Sequence, residues 1–510
     1  MKTFYTYLDG VFTAVVLPAE TGKFPTVIMR CPYVDAYENW EEEKIPAHYG
    51  KIFSTWIEHG YALVYQHCRG RGKSHGDFVP VVNERKDGLM LQDWIRQQEF
   101  YNGELFLRGA SYTATVHYVT APFAPDVKGA CLAVQDISRY RKCYRNGCFK
   151  RGLYGDWFVE NYKAKNRKEK TFDPETSFDI LPLTDFAKSV FGEKAEDFER
   201  TLLAPDPNDD YWKESEEEHC TDHVPFPMLF STGFYDVYVG GMFQMWRDMS
   251  PESRKKSALV VSPYDHGDGF EKETFRYPKG KREEQFGTDY EVLWCDAIRG
   301  KCDFPVPQGK VTYYSLFENV WKSTEDFSAP KTLALPLMGK TTTYTYDPAD
   351  APSFEGGLST NFGGTSFQKK QNREDVVTVY TAPMAEDTLM KGQMRLRLPV
   401  SSDCEDTCFY ARVSLETEKG DLGLRDDIFS LQFQLGGYTP NEKVEVEFCF
   451  DEHALLLRKG QRLRVDFASA DKAHFIRHTN CKGLYSTQRS TKIAKNTLYI
   501  PEAVFTIPIE

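Results

Sequence analysis

Apolar positions in the first 135 residues follow two alternating patterns. Short, nearly continuous apolar runs of the kind that form buried strands lie at residues 25–29, 61–65, 104–107 and 129–134. Between them, residues 49–60 and 85–98 have apolar side chains at helical spacing, and Gly60 is a typical helix stop. Strands that alternate with helices predict an α/β fold, with a parallel sheet covered on both faces.

The pattern changes twice further along the chain. Residues 136–222, rich in Arg, Lys, Glu and aromatic side chains, predict a helical cap inserted over the sheet. The α/β pattern returns over residues 223–305, which we assign with residues 1–135 to one α/β domain. From residue 306 to residue 510, short alternating segments separated by turn residues predict a C-terminal jelly-roll β-sandwich. The segments that carry this last pattern are residues 311–314, 376–380, 394–398 and 444–448.

Composition excludes several classes of protein. With 41% hydrophobic and 27% charged residues, the 510-residue chain is an ordinary globular protein with ample core. A formal charge of −12 without a basic cluster argues against nucleic-acid binding. No apolar run approaches the ~18 residues of a membrane span, and the N-terminus lacks a signal-peptide core. We therefore expect a cytoplasmic protein with no nucleic-acid or membrane partner, in which most of the 12 scattered cysteines are reduced thiols.

Residues 108–114 (Arg-Gly-Ala-Ser-Tyr-Thr-Ala) contain the first candidate for chemistry. They follow the apolar run at 104–107 and precede a segment, 115–121, that can form a helix. A serine on a small-residue turn between a strand and a helix is typical of a nucleophile elbow. Such a turn raises the hydroxyl above the sheet and directs backbone N–H groups at a developing oxyanion. Ser111 is therefore the candidate nucleophile of an acyl-transfer reaction.

Two later residues can activate this serine. A serine hydroxyl needs a histidine to take its proton, and the histidine needs a carboxylate to fix its tautomer. Asp236 and His266 each follow a predicted strand, and the order Ser, Asp, His is that of α/β hydrolases. Asp265 and Asp268 compete as the orienting acid. We favour Asp236 because it follows a strand of its own, at the edge where open α/β sheets bind ligands.

Segments along nearly the whole chain resemble one known family. The segments that carry the resemblance are 30–33 (Arg-Cys-Pro-Tyr), 68–76 (Cys-Arg-Gly-Arg-Gly-Lys-Ser-His-Gly), 87–94, 109–112, 233–236, 263–266, 319–321 and 346–350. They are similar to the cocaine esterase (CocE/NonD) family of serine hydrolases. That family is related to X-Pro dipeptidyl peptidases and α-amino acid ester hydrolases.

The resemblance implies a fold and a set of roles. It implies an α/β-hydrolase fold with a helical cap and a C-terminal jelly roll of the galactose-binding-like kind. By position, Ser111 resembles the nucleophile, Asp236 the orienting acid and His266 the general base. The family's oxyanion hole consists of a tyrosine hydroxyl and the backbone N–H after the nucleophile, here Tyr33 and Tyr112. No cofactor and no metal are implied, and the segment 219–223 (His-Cys-Thr-Asp-His) lacks a second group of metal ligands.

Some positions depart from the family's pattern. Thr113 and Ala114 make the turn bulkier than usual, although we expect it to form. His67 and His75 replace residues common in the family. We favour a packing role for them over a second proton-transfer site, and we read His117 as a packed or surface residue.

The residues after Asp236 bear on substrate choice. Relatives that act on α-amino acyl groups carry carboxylates there, whereas residues 237–240 here are Val-Tyr-Val-Gly. A free α-ammonium group would then be buried without a partner, although Asp136, Asp156 or Glu160 of the cap could supply one. For the acyl pocket we predict three aromatic residues, each of which could equally pack in a core: Tyr238, Trp157 and Phe158.

The sequence therefore predicts a hydrolase of uncharged carboxylic esters, with amides as a second substrate class, that acts through an acyl-Ser111 intermediate. One alternative is a relative with X-Pro dipeptidyl-peptidase or α-amino acid ester hydrolase activity. Another, of a different class, is a non-catalytic protein whose jelly roll binds carbohydrate. The expected partner is a small-molecule ester or amide, and a homodimer is an open expectation.

Overall fold

The computed structural model describes residues 1–162, 172–173, 176–213, 224–267, 275–357 and 366–510. Its first part alternates strands with helices: β1 (Lys2–Leu8), β2 (Val11–Leu17), β3 (Phe24–Cys31), α1 (Ile45–Ile52), α2 (Ser54–Glu58), β4 (Ala62–His67), α3 (Glu84–Arg96), β5 (Tyr101–Ala110), α4 (Tyr112–Tyr118) and β6 (Val127–Ala133). The single helix predicted at 49–60 is two short helices, because the backbone of Phe53 leaves the helical region (φ −107°, ψ 33°).

The cap follows β6. Its described part contains a two-stranded hairpin and short helices: α5 (Arg139–Cys143), β7 (Tyr144–Arg145), β8 (Cys148–Phe149), α6 (Asp156–Asn161), α7 (Phe186–Phe191), α8 (Glu196–Leu203) and α9 (Asp210–Lys213). A π-helical turn at Arg151–Gly155 leads into α6. Aromatic side chains from several of these helices form an apolar core within the cap, which includes Phe158, Phe186, Phe198 and Trp212.

The chain then returns to the first sheet with β9 (Met228–Gly233), α10 (Val239–Asp248), α11 (Pro251–Lys256), β10 (Ala258–Ser262), α12 (Arg282–Phe286), α13 (Tyr290–Ile298), β11 (Val311–Ser315) and β12 (Val320–Thr324). The strand order is β1-β2-β4-β3-β5-β6-β9-β10-β11-β12. Neighbours from β4 to β11 in this order are parallel. The carboxyl ends of β3, β5, β9 and β10 therefore meet at one edge, where loops can combine their side chains.

One predicted domain boundary is wrong. The jelly roll was predicted to start at residue 306, with residues 311–314 as its first strand. In the structure these residues belong to β11, which pairs parallel with β10 and extends the first sheet. β12 then closes the sheet as an antiparallel edge strand. All five residues of β11 are buried, as in a strand covered on both faces. A short apolar segment does not specify its partner strand, and only the pairing revealed which sheet it joins.

The C-terminal β-domain comprises the elements after β12: β13 (Lys331–Leu335), β14 (Leu337–Met338), β15 (Thr342–Tyr346), β16 (Phe367–Gln368), β17 (Val377–Thr381), β18 (Thr388–Gly392), β19 (Arg395–Ser402), β20 (Cys408–Thr417), β21 (Gly420–Ser430), α14 (Leu431–Leu435), β22 (Val444–Cys449), β23 (His453–Leu457), β24 (Leu463–Ala468), β25 (Ala494–Leu498) and β26 (Val504–Ile509). Its strands form two antiparallel sheets, ordered β15-β25-β19-β26-β18-β23, with β13 on β26 and β22 on β19, and β14-β17-β24-β20-β21-β16. Inward side chains of both sheets share one core, which confirms the predicted α/β-hydrolase fold with a C-terminal β-sandwich.

None of the helices within the described ranges has the length and apolar character that a membrane crossing requires.

A buried ion network joins the cap to the β-domain. The Arg145 guanidinium, in the cap hairpin, donates to Asp427 at 2.7 Å, to Asp451 at 3.1 Å and to the Cys449 carbonyl at 2.6 Å. Asp451 also approaches α10, since a Cβ added to Gly240 would lie 2.7 Å from its Oδ1. Cap, β-domain and α10 therefore meet around the same carboxylate.

Replacing Arg145 with Ala should leave two buried carboxylates without their partner. We expect the free energy of unfolding to fall by about 3–5 kcal/mol, as when one member of a buried ion pair is removed. The matched control is Arg395→Ala, because the Arg395–Glu447 pair at 3.1 Å is solvent-exposed and should be worth about 0–1 kcal/mol. Urea denaturation followed by circular dichroism measures both, and equal effects would refute the buried network's role.

Candidate active site

Ser111 lies on a strained turn between β5 and α4. Its φ of 55° and ψ of −134° fall outside the regions that non-glycine residues normally adopt. The Ser111 N–H donates to the Ala133 carbonyl of β6 at 2.9 Å, which holds the turn against the sheet. Backbone strain of this kind persists only where the surrounding structure over-determines it, and it is typical of a nucleophile elbow.

Gly109 and Thr113 explain how the turn closes. A Cβ added to Gly109 would lie 2.0 Å from the Thr113 carbonyl oxygen, so this position must be glycine. The Thr113 hydroxyl accepts from the Ala110 N–H at 2.6 Å and donates to the Ala110 carbonyl at 2.5 Å. Ala114 is fully buried. The bulkier turn predicted from the sequence is therefore accommodated, and its threonine adds two hydrogen bonds.

Asp236 and His266 form a hydrogen-bonded pair. The two residues follow β9 and β10, and His266 Nδ1 lies 3.3 Å from Asp236 Oδ1. Asp236 is fully buried, and its carboxylate also accepts from the Tyr238 N–H at 2.9 Å and the Thr232 hydroxyl at 3.2 Å. These contacts fix the carboxylate, which in turn orients the imidazole. Of the competing acids, Asp265 accepts from the Gly267 N–H at 3.2 Å, and Asp268 lies outside the described residues.

Tyr33 brings a hydroxyl to the serine. It follows β3, its hydroxyl accepts from the Trp157 indole N–H at 3.0 Å, and it lines the same pocket as Ser111. Desolvation of the hydroxyl raises the pKa of Tyr33 to about 12, although the residue is 44% exposed and interactions with Trp157 and Ser111 act in the opposite direction. The hydroxyl therefore keeps its proton at neutral pH and can donate it to an oxyanion.

Tyr112 occupies the first position of α4, directly after Ser111. Its side chain is fixed, because the hydroxyl donates to Glu84 at 3.1 Å and accepts from the Val81 N–H at 2.9 Å. Val81 itself has a φ of 62°, which is unusual for a β-branched residue. The sequence analysis did not single out Val81, and no local sequence pattern announces such a conformation.

Ser111 and His266 open into the same pocket, which has a volume of about 400 Å³. Its lining includes four residues named in the sequence analysis: Tyr33, Tyr112, Tyr238 and Trp157. It also includes residues that sequence reasoning missed: Pro80, Val81, Gln135, Arg139, Lys142, Leu153, Tyr154 and Asn161. The ring of Tyr238 meets that of His266 edge-to-face with centroids 5.5 Å apart. The pocket is therefore lined by aromatic side chains and a smaller number of polar groups, as expected of a small-molecule site.

Phe158 was predicted to line the pocket, and this prediction is wrong. Its ring stacks on Phe198 with centroids 4.1 Å apart, inside the apolar core of the cap. Trp157 and Phe158 are consecutive on α6 and point in different directions, since neighbours on a helix are rotated by about 100°. The aromatic pair in the sequence did not show which ring faced inwards.

The acidic residues near the pocket differ in whether they could pair with a substrate ammonium group. Burial alone would raise the pKa of Asp136, but two hydrogen bonds from Arg141, each 2.7 Å, lower it and occupy the carboxylate. Burial raises the pKa of Asp156 to about 6, and this residue does not line the pocket. Glu160 is the one acid among the described lining residues.

His67 and His117 are packed residues in the structure. Burial lowers the pKa of each to about 3. His67 Nε2 lies 2.7 Å from the Tyr49 hydroxyl, and its Nδ1 accepts from the Lys73 N–H. These surroundings favour the packing role predicted for His67 over a second proton-transfer site. The cluster at residues 219–223 lies outside the described residues.

Known proteins share the sequence pattern and the fold of this chain. A family model described as X-Pro dipeptidyl-peptidase (S15 family) matches residues 9–268, more than half of the chain, including Tyr33, Ser111, Asp236 and His266. The chain belongs to this family of serine hydrolases. A second model, the C-terminal non-catalytic domain of X-Pro dipeptidyl-peptidase, matches residues 281–420.

Individual proteins that resemble the chain extend the comparison. The cocaine esterase of Rhodococcus sp. (strain MB1 Bresler) is 23% identical over 546 residues, which cover 94% of this chain and 92% of that protein. An α-amino acid ester hydrolase shares the fold at a TM-score of 0.82 and 18% identity, covering 100% of this chain and 96% of the other. A CocE/NonD family hydrolase from Staphylococcus aureus does so at 0.68 and 16%, covering 100% and 93%. The predicted resemblance to the CocE/NonD family is confirmed.

Replacing Thr113 tests whether its hydroxyl stabilises the turn at Ser111. Thr113→Val keeps the side-chain shape but leaves the Ala110 N–H and carbonyl without their partner. We expect the free energy of unfolding to fall by about 1–3 kcal/mol, the cost of unsatisfied buried polar groups. We also expect slower labelling of Ser111 by a fluorophosphonate. The control Thr113→Ser retains the hydroxyl and should behave like the wild type; identical behaviour of all three proteins would contradict this account.

Proposed function

We propose that this S15 family member is a serine esterase that hydrolyses uncharged carboxylic esters, and amides as a second substrate class. The observation that carries the proposal is the convergence of a strained serine, a histidine paired with a buried aspartate, and a neutral tyrosine hydroxyl around one pocket. Each of these groups has a distinct task in acyl transfer.

The proposed reaction has two halves. His266 takes the proton of Ser111 Oγ, which attacks the ester carbonyl, while Asp236 holds the imidazole in the required tautomer. The oxygen of the tetrahedral intermediate accepts hydrogen bonds from the Tyr33 hydroxyl and the Tyr112 N–H. The intermediate collapses when His266 protonates the leaving alcohol, and water activated by His266 then hydrolyses the acyl-Ser111 ester.

Charges around the pocket support an uncharged substrate. Besides His266, the basic side chains that line it are Lys142 and Arg139, whose guanidinium pairs with Asp197 at 2.6 Å, and Glu160 is exposed. Asp136, which lies against Gly241 of α10, is occupied by Arg141. A substrate ammonium group would therefore meet Lys142 and find no buried carboxylate among the described lining residues to pair with it, which is costly.

A peptidase activity is the second candidate, and the name of the matched family model favours it. The same catalytic residues would cleave the amide bond. Which of the two functions the protein has is therefore decided by the substrates that its pocket binds.

Active-site labelling tests the proposed nucleophile. A fluorophosphonate should add one adduct to the wild type and none to Ser111→Ala, as read by intact mass. Hydrolysis of a p-nitrophenyl ester should be lost in His266→Ala and should fall about 10³–10⁴-fold in Asp236→Asn, where the imidazole loses its orienting charge. Equal labelling of Ser111→Ala, or full activity of His266→Ala, would refute the triad. A wild type that is neither labelled nor hydrolyses the ester would refute the esterase and favour a binding protein.

A substrate panel separates ester from peptide hydrolysis. We expect kcat/KM for p-nitrophenyl acyl esters to exceed that for X-Pro p-nitroanilides and for α-amino acid esters with a free ammonium group. The reason is the cationic lining described above. A preference for the X-Pro substrates would overturn the proposed specificity and leave the triad intact.

A further inference from the structure

We propose that Trp157 is a positioning residue of the oxyanion hole, which orients the Tyr33 hydroxyl proton from the cap. The inference rests on the proposed function, because it concerns the oxyanion donor of that reaction. The proposal also gives a role to Arg71. This residue belongs to the motif at residues 68–76, which contributes no residue to the triad.

The chemistry of the indole decides the direction of the hydrogen bond. An indole N–H can only donate, so the 3.0 Å contact requires the Tyr33 oxygen to accept. Tyr33 has one proton of its own, and that proton is then directed away from the indole. The Ser111 side chain, beside which the oxyanion would develop, lines the same pocket as Tyr33. Trp157 therefore selects the rotamer of the Tyr33 hydroxyl that a substrate needs.

Trp157 is itself held in place. Its ring stacks on Tyr112 with centroids 5.6 Å apart and an interplanar angle of 17°. On another side it stacks on Tyr154 at 6.0 Å. Its carbonyl accepts from the Asn161 side chain at 2.9 Å, at the end of the same helix, α6. A donor fixed in this way loses little entropy when it orients its partner.

Arg71 joins the two segments that carry Tyr33 and Trp157. Its Nε donates to the Pro32 carbonyl at 2.7 Å, directly before Tyr33. Its Nη1 donates to the Asn161 carbonyl at 2.9 Å, at the end of α6. The side chain is only 4% exposed and also pairs with Asp35 at 2.8 Å. This guanidinium therefore fixes the spacing between the β3 loop and α6 that the indole hydrogen bond requires.

The consequence is that the cap contributes to chemistry as well as to substrate binding. A hydroxyl already aimed at the oxyanion stabilises the transition state without reorganisation. Removing the indole N–H should therefore lower kcat and leave KM for a small substrate nearly unchanged.

The test is a double-mutant cycle between Trp157→Phe and Tyr33→Phe, with p-nitrophenyl acetate as substrate. Trp157→Phe keeps an aromatic ring but removes the N–H, and we expect kcat to fall about tenfold with KM within about twofold of the wild type. In the Tyr33→Phe background the same substitution should change kcat by less than about twofold, because the hydroxyl it acts on is gone. A 3-benzothienylalanine at position 157, which replaces the N–H by sulfur in a ring of the same shape, should reproduce this result if the phenylalanine variant folds poorly.

Trp212→Phe is the matched control. Trp212 donates its indole N–H to the Ala204 and Asp206 carbonyls within the cap and does not contact Tyr33, so kcat should stay at the wild-type value.

Four results would overturn the inference, and they are distinguishable. Equal losses from Trp157→Phe in both backgrounds, or a rise in KM alone, would make Trp157 an ordinary pocket wall. Unchanged kcat in Tyr33→Phe, with Ser111 still labelled by a fluorophosphonate, would show that Tyr33 is not the oxyanion donor, while Ser111 would remain the nucleophile. Absence of labelling in the wild type would overturn the proposed function itself.

Discussion

The backbone turn at Ser111 is the constraint on which the site depends. Gly109 and the Thr113 carbonyl approach so closely that no side chain fits between them, and Ser111 is forced into a positive φ. The parallel neighbour β6 holds this conformation through the Ser111 N–H, so the local strain is offset by pairing within the sheet. Every other functional group is placed relative to this turn, because its loop leaves the same carboxyl edge of the same sheet.

Coupling between the domains follows from buried polar contacts. Arg71 ties the Tyr33 loop to the cap, and Arg145 ties the cap hairpin to carboxylates of the β-domain. Asp451, one of those carboxylates, lies against Gly240 at the start of α10, the helix that follows Asp236. A buried charge is stable only with its partner, so these contacts restrict the relative positions of the three regions. The pocket at their junction is consequently held in one shape from several sides.

The sequence predicted the fold better than the details of the site. Periodicity located β3, β4, β5, β6 and α3, but it missed β1 and β2 and merged α1 with α2. Ser111, Asp236 and His266 were found because each follows a predicted strand. Sequence reasoning failed at β11, because a five-residue apolar segment can join either a parallel or an antiparallel sheet. It failed again at Phe158, because one helical step decides whether an aromatic ring faces a pocket or a core. Val81, Arg139 and Lys142 reached the pocket through tertiary contacts that no local pattern encodes.

By itself, the sequence determined what depends on local order: the alternating elements, the small-residue turn around Ser111, and a candidate acid and base after later strands. Those features follow from residue type and spacing along one chain. Only the tertiary structure decided the features that depend on distance between separate segments. These are the Thr113 hydrogen bonds that accommodate a bulkier turn, the pairing of Asp136 with Arg141, and the indole of the cap donating to Tyr33. The physical reason is that hydrogen bonds and ion pairs require specific geometry in three dimensions, which residue spacing restricts but does not fix.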